Sequence, residues 1–147
     1  MEMMNDNRCM VDTNVLIYST VSSSPWHQNA KQKLAVLYNN GIELCITPQI
    51  AREYLVILTR GSIFEQKFTP EEALGELNSI LSGITLISET MATFSYLQDL
   101  IQRYKIQGKV IHDANIVATM FAHNIRRLMT YNTSDFRRFS EIVLEPI

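Results

Sequence analysis

Short strand-like runs alternate with longer helical patterns along this chain, and this alternation constrains the fold more than any other feature. The strand-like runs are Arg8 to Val11, Glu43 to Thr47, Ile84 to Ile87, Leu128 to Tyr131 and Ile142 to Leu144. Strands that alternate with helices predict an α/β sandwich with a central, mostly parallel sheet. In such sheets, ligands bind outside the carboxyl ends of the strands.

Three of the predicted helices begin with a hydroxyl residue that caps the helix and a proline at the first helical position. The pairs are Ser24-Pro25, Thr47-Pro48 and Thr69-Pro70, and Glu72 completes a capping box with Thr69. Apolar residues at helical spacing predict the buried helix faces. They are Ala30, Leu34, Leu37 and Tyr38; Ile50, Tyr54, Ile57 and Leu58; Leu74, Leu77, Ile80 and Leu81; Met91, Phe94, Leu97, Leu100, Ile101 and Tyr104; and Ile116, Val117, Met120 and Phe121. We also expect Trp26 to lie mostly in the core.

The length and composition of the chain favour a single domain over residues 1–147, because 46% of its 147 residues are hydrophobic. A net charge of −2 argues against nucleic-acid binding through bulk charge, although it permits a local basic patch. The chain opens with polar residues, and no run approaches the roughly 20 apolar residues of a membrane helix. We therefore expect a cytoplasmic protein with no membrane contact. Cys9 and Cys45 lie in strand-like runs and are expected to be buried thiols rather than a disulfide.

Acidic residues recur just past predicted strands or on the apolar side of predicted helices. Asp12 lies inside CMVDTNVLIY, a stretch typical of a buried strand, and Glu53 and Asp113 share the apolar faces of their helices. Asn132 and Asp135 follow the fourth strand-like run. An isolated buried carboxylate is destabilising by several kcal/mol, and several carboxylates brought together repel one another unless cations neutralise them.

Such a cluster of oxygen ligands favours a hard cation, Mg²⁺ or Mn²⁺. Zinc is poorly supported, because His27, His112 and His123 are scattered and neither cysteine stands at finger spacing from them. A carboxylate cage that holds one or two such ions is a known arrangement for in-line hydrolysis of phosphodiesters. The pattern therefore favours a metal-dependent phosphodiesterase.

Each acidic position also has a simpler structural interpretation. These are a helix cap for Asp12 and Asp113, an ion pair with Arg52 or Arg60 for Glu53, and a turn for Asn132 and Asp135. Together, the simpler interpretations require independent coincidences at matching strand ends. We therefore favour a shared site.

Four segments resemble the PIN-domain ribonucleases, and most closely the VapC-like toxins of bacterial toxin–antitoxin pairs. They are MVDTNVLIY, REYLVIL, HDANIVATMFAHN and LMTYNTSDFRRF, which occur in the family's order over nearly the whole chain. The resemblance implies a PIN-like three-layer α/β/α sandwich with a central, mostly parallel sheet. It also implies Mg²⁺- or Mn²⁺-dependent endonucleolytic cleavage of RNA, a homodimer, and silencing by a cognate antitoxin protein.

The resemblance further implies roles for individual residues. The acidic catalytic and metal-binding positions would be Asp12, Glu53, Asp113 and Asp135, with Asn132 as an alternative or additional metal ligand. Polar residues around them would be Thr13, Asn14 and Thr130, of which Asn14 would orient Asp12. It supplies no role for Asn115.

The basic pair Arg137 and Arg138 follows the fourth segment. Such pairs are usually solvated surface, but here they could hold RNA phosphate near the acids.

Other functions are compatible with parts of this pattern. They include a non-catalytic PIN-like module that binds RNA or protein, and a PIN-like nuclease that acts in RNA processing or on DNA. The intact acids argue against the non-catalytic module. A haloacid-dehalogenase-like phosphatase would need a second aspartate where Asn14 stands, and the acidic pair and late lysine of a receiver domain are not found.

Overall fold

The computed structural model describes residues 7–61 and 64–147. The first six residues of the polar opening and residues 62–63, in the segment between the third and fourth helices, lie outside the described residues. In the described ranges the strands are β1 (Arg8–Val11), β2 (Glu43–Ile46), β3 (Thr85–Leu86), β4 (Arg127–Met129) and β5 (Val143–Glu145). They form one sheet in the order β3-β2-β1-β4-β5, and each neighbouring pair is parallel. The predicted parallel sheet is confirmed.

Helices connect these strands and follow the predicted alternation. They are α1 (Thr13–Thr20), α2 (His27–Asn39), α3 (Pro48–Arg60), α4 (Pro70–Leu81), α5 (Met91–Tyr104), α6 (Val110–Ala122) and α7 (Thr133–Phe136). From β1 the chain builds the sheet in one direction through β2 and β3, and then returns to add β4 and β5 on the other side of β1. The reversal of strand order between β1 and β4 creates a crevice at the carboxyl ends of these strands.

The stretch after Asp12 is a helix, so the prediction that CMVDTNVLIY is a buried strand is wrong beyond Val11. Val15, Leu16 and Ile17 are all buried in α1. A short apolar run buried on several sides has no periodicity that distinguishes a helix from a strand. Asp12 caps this helix, since its side chain accepts a hydrogen bond from the backbone N–H of Thr13.

Two of the three predicted helix starts are confirmed. Thr47 caps α3 and Thr69 forms a full capping box with Glu72 at the start of α4. The start at Ser24-Pro25 is wrong, because α2 begins at His27. The hydroxyl and carbonyl oxygens of Ser24 accept hydrogen bonds from the next residues, Trp26 and His27, in a turn before the helix.

The predicted buried faces are correct in α3 and α6 but shifted in α4 and α5. Ala73 and Thr93 are buried, so the packed face in each of these helices includes the residue before the predicted Leu74 and Phe94. Apolar size alone predicted these faces, whereas α4 packs on α3 and α5 packs on α6 through faces that include the small residues. The predicted core residues that are exposed are Trp26, Tyr38, Leu74, Met91 and Phe94.

Cys9 and Cys45 are buried free thiols, as predicted. None of the helices in the described ranges is long and apolar enough to cross a membrane.

Candidate active site

A pocket of about 650 Å³ lies at the carboxyl ends of the central strands. Its lining includes Asp12 directly after β1, Glu53 on α3, Asp113 on α6 and Asn132 just after β4. These residues come from distant parts of the sequence, and the strand order brings them to one edge of the sheet. Three of the four predicted acidic residues, Asp12, Glu53 and Asp113, therefore line one pocket.

Asp12 is held by hydrogen bonds on both carboxylate oxygens. Oδ1 accepts from the backbone N–H of Thr13 at 2.8 Å, and Oδ2 accepts from Thr130 Oγ1 at 2.8 Å and from Asn14 Nδ2 at 3.2 Å. Burial raises the pKa of Asp12, the bonds from Thr130, Thr13 and Asn14 oppose that rise, and the charge of Glu53 adds to it. The side chain is only 6% exposed, so these bonds fix the orientation of a strongly desolvated carboxyl group.

Asn14 connects α1 to the segment that follows β4. Its Oδ1 accepts from the backbone N–H of Tyr131 at 2.9 Å, while its Nδ2 donates to Asp12. Thr130 Oγ1 accepts from the backbone N–H of Asn132 at 3.0 Å. These hydrogen bonds link α1 to the segment that follows β4, next to Asp12.

Glu53 is oriented by both neighbouring elements. Its Oε2 accepts from Thr13 Oγ1 at 2.9 Å, and its Oε1 accepts from Gln49 Nε2 at 3.1 Å. Gln49 also donates to the backbone carbonyl of His112 at 2.9 Å, and its Oε1 accepts from Asn115 Nδ2 at 2.9 Å. Gln49 is buried, so this amide chain couples α3 to α6 and fixes which way the glutamine points.

Gln49 was not predicted, and Asn115 had no assigned role. The sequence carried a signal for Gln49, because it lies four residues before Glu53 on the same face of α3. Asn115 lies two residues after Asp113 and therefore on a different part of the helix surface, so no such signal marked it. In the fold these amides meet each other and the carboxylate of Glu53.

Asp113 differs from Asp12 and Glu53, because burial and neighbouring negative charges disfavour its ionised form. Burial, followed by the negative charges of Asp12, Asp135 and Glu53, raises its pKa to about 6, and His112 opposes this weakly. Within the described ranges, no hydrogen-bond donor is found on its carboxylate. The site therefore carries an excess of negative charge that its own donors do not neutralise.

The donor chemistry of the pocket fits Mg²⁺ or Mn²⁺, because carboxylate and amide oxygens are the ligands these ions prefer. Among the described residues, no three carboxylate, imidazole or thiol groups are arranged to enclose an ion by themselves. Magnesium usually keeps several waters and takes one or two protein carboxylates, so an open arrangement suits it.

The two candidates for the fourth position lie in different places. Asn132 lines the pocket, whereas Asp135 lies on the short helix α7, is exposed and does not line it. The charge of Asp135 nevertheless raises the pKa of Asp113. The structure thus brings Asn132 into the site and keeps Asp135 at its border.

The arginines that line the pocket are not the predicted ones. Arg52 and Arg60 on α3 line it together with Tyr18. Arg137 instead lines a separate groove with the last residues of the chain, and Arg138 is exposed outside both. In the described part of the chain, no ion pair joins Glu53 to Arg52 or Arg60, so the simpler interpretation of Glu53 is wrong.

Comparison with known proteins agrees with this architecture. Residues 9–142 match the PIN domain family. Ribonuclease VapC48 of Mycobacterium tuberculosis is 26% identical over 134 residues, which cover 89% of this chain and 91% of that protein. Among solved structures, VapBC2 of Rickettsia felis bound to a promoter DNA fragment has a TM-score of 0.71 at 21% identity, covering 94% of this chain and 97% of that one. A toxin–antitoxin complex of Klebsiella pneumoniae has a TM-score of 0.63 at 24% identity, covering 92% and 95%.

The structural matches show a shared fold, and the family match covers nearly all of the chain that builds the sheet and the pocket. By that match, the chain belongs to the PIN domain family.

Proposed function

We propose that this protein is a metal-dependent endoribonuclease that acts as the toxin of a toxin–antitoxin pair. The observation that carries the proposal is the meeting of Asp12, Glu53 and Asp113 in one pocket of a PIN fold. Similarity to ribonuclease VapC48 supports RNA as the substrate. Fold similarity to a toxin–antitoxin complex supports a cognate antitoxin as partner.

In this proposal, Asp12, Glu53 and Asp113 hold Mg²⁺ or Mn²⁺, and Asn132 or Asp135 completes the set directly or through water. Such an ion, when bound, supplies activation of a water molecule and stabilisation of the charge that develops on the phosphate. The negative charge shared by the carboxylates is what draws a cation into the pocket, since each raises the pKa of Asp113.

The contribution of the chain itself is to hold these carboxylates in position before the reaction. Thr13 contacts both Asp12, through its backbone N–H, and Glu53, through its hydroxyl, and so fixes their relative placement. Gln49 and Thr130 restrain the remaining oxygens from the other sides. Groups held in this way need little reorganisation when charge develops in the transition state.

An acidic pocket repels RNA phosphate, so nearby cations must offset that repulsion. Arg52 and Arg60 line the same pocket and are placed to contact phosphate oxygens. Arg137 and Arg138 lie outside this pocket, and their contact with RNA phosphate near the acids stays a prediction.

The test is cleavage of a mixture of structured and single-stranded RNA by the purified protein with Mn²⁺ and with EDTA. We expect cleavage only with metal, and loss of cleavage in Asp12→Asn. Asp99→Asn is the matched control, because Asp99 is an exposed acid paired with Arg103 on α5. Absence of both cleavage and Mn²⁺ binding would favour the non-catalytic PIN-like module instead.

The assembly state and partner are tested separately. We propose a cytoplasmic homodimer that is inhibited by the antitoxin. Light scattering of the purified protein should give the mass of two chains. Co-purification with the product of a small neighbouring gene should abolish cleavage, and a neighbour that leaves cleavage unchanged would contradict the toxin assignment.

A further inference from the structure

Four aromatic side chains form an aromatic cluster, consisting of Tyr18, Trp26, Phe64 and Tyr131. The ring centroid of Tyr18 lies 4.8 Å from Trp26, 5.0 Å from Tyr131 and 6.0 Å from Phe64. Trp26 lies 6.1 Å from Phe64 and 6.3 Å from Tyr131. These distances are within the range of direct aromatic contact, so the rings form one continuous surface.

The aromatic cluster is attached to the acidic pocket at two points. Tyr18 lines the pocket together with Asp12 and Glu53. The backbone N–H of Tyr131 donates to Asn14, whose amide donates to Asp12. The rings are therefore held at a fixed position beside the carboxylates.

This cluster is not a closed core. Trp26 is 43% exposed, and the other three rings are only partly buried. The backbone of Phe64 has a φ of +46°, a conformation that is strained for a bulky residue, and Ser23 Oγ donates to its carbonyl at 2.7 Å. Strain of this kind persists where the surroundings determine it, and it often marks a functional surface.

We propose that the aromatic cluster is a stacking platform for an unpaired base of the RNA next to the phosphate that is cleaved. This inference rests on the proposed function. Unpaired RNA bases are recognised by stacking on aromatic side chains, whereas bases inside a duplex are not accessible to them. Trp26 is the most exposed of the four rings and presents the largest surface to a base.

The position of the platform beside the acidic pocket is what favours a nucleobase as its occupant. The platform borders the pocket in which Arg52 and Arg60 accompany the carboxylates, so a strand whose phosphate lies in the pocket would carry its neighbouring base over the rings. The platform therefore selects RNA that is single-stranded or bulged at the cleavage site.

Trp26 provides a direct test, because it is the chain's one tryptophan and its fluorescence reports on this platform alone. The protein in EDTA is titrated with an eight-nucleotide single-stranded RNA, and binding is followed in parallel by the anisotropy of labelled RNA. We expect quenching that saturates with binding, and at least five-fold less quenching with an abasic chain of equal length and charge. Binding without quenching, equal quenching by the abasic chain, or no binding overturns the proposal.

Substitution separates stacking from a purely structural role. Trp26→Ala should raise KM for single-stranded RNA at least five-fold with little change in kcat, and Trp26→Phe should restore most of the loss. Phe94→Ala is the control, because it removes another exposed ring on α5 away from the pocket. An unchanged KM in Trp26→Ala contradicts the platform, as does quenching by a protein partner but not by RNA.

The two proposals fail in different ways. Quenching by RNA without any metal-dependent cleavage would overturn the nuclease while leaving the base platform in place. Cleavage with a parental KM in Trp26→Ala would overturn only the platform.

Discussion

The two sides of the acidic pocket are built differently. On the side of α1 and α3, Asp12 and Glu53 accept hydrogen bonds on all four carboxylate oxygens from Thr13, Asn14, Thr130 and Gln49. On the side of α6, no donor among the described residues reaches the carboxylate of Asp113, whose pKa burial and neighbouring charges raise to about 6.

This difference separates two tasks of a metal site. The α1–α3 side is satisfied by the protein, so its geometry is fixed whether or not a ligand is present. The α6 side lacks such donors, so a cation would supply the partner that the carboxylate of Asp113 does not have among the described residues. We infer that the α1–α3 side sets the geometry of the site and that the α6 side determines how strongly the site binds a cation.

The largest expected effect is the loss of RNA cleavage, and we expect it for the carboxylates of both sides. Asp12→Asn and Asp113→Asn should each lower kcat/KM for RNA by more than about 100-fold, since loss of even an outer partner of a metal site typically lowers activity 10- to 100-fold. Cleavage of labelled RNA at saturating Mn²⁺ measures this. Near-parental cleavage by Asp113→Asn would show that the α6 side is not part of the site.

The next effect tests the positioning side alone. Gln49→Leu leaves Glu53 Oε1 without its donor and should weaken Mn²⁺ binding by about 10-fold. Asn115→Leu removes only the bond that orients Gln49 and should have a smaller effect in the same direction. Calorimetric titration of Mn²⁺ measures both.

The double variant should weaken Mn²⁺ binding no more than Gln49→Leu does, because both residues act through the same carboxylate. Additive losses would mean that Asn115 acts on the site by another route.

On the α1–α3 side, the sequence predicted Asp12, Glu53, Thr13, Asn14 and Thr130, but neither Gln49 nor the pattern of hydrogen bonds. An apolar run that stops at a polar residue indicates the end of a strand. This pattern predicts that Asp12 and Asn132 lie near the site. Which donor reaches which oxygen depends on how α3 packs against α6, and that packing joins residues separated by more than 60 positions. No local pattern contains this information.

The helix after Asp12 and the exposed Trp26 were missed for related reasons. Val15, Leu16 and Ile17 are buried on several sides, which erases the helical period. Trp26 was assigned to the core because aromatic residues usually are buried. The proposed base platform would account for this exception, since a ring that binds a ligand must stay exposed.

Substitutions on the two sides should change the stability of the protein in opposite directions. In metal-free protein, Asp113→Asn should raise the Tm by roughly 2 to 6 °C, because it removes a partly buried charge repelled by its neighbours. Asp12→Ala should lower the free energy of unfolding by about 1 to 3 kcal/mol, because it removes a helix cap and leaves the donors of Thr130 and Asn14 unsatisfied.

Thermal denaturation in EDTA measures both variants. A loss of stability in Asp113→Asn would contradict the view that this carboxylate is uncompensated. Excess Mn²⁺ should then raise the Tm of the parent more than that of Asp113→Asn.

The smallest effect is in the pH dependence of that stability difference. The pKa of Asp113 rises from an ordinary value of 3.8 to about 6 on folding, so the folded state binds its proton more tightly than the unfolded state does. The parent's stability relative to Asp113→Asn is then greatest below about pH 4 and declines as the pH rises towards 6. The advantage of the variant should accordingly be small at pH 4 and complete above pH 6. Urea unfolding of both proteins in EDTA from pH 4 to 7 measures it, and a difference that does not vary with pH would place the repulsion elsewhere than on Asp113.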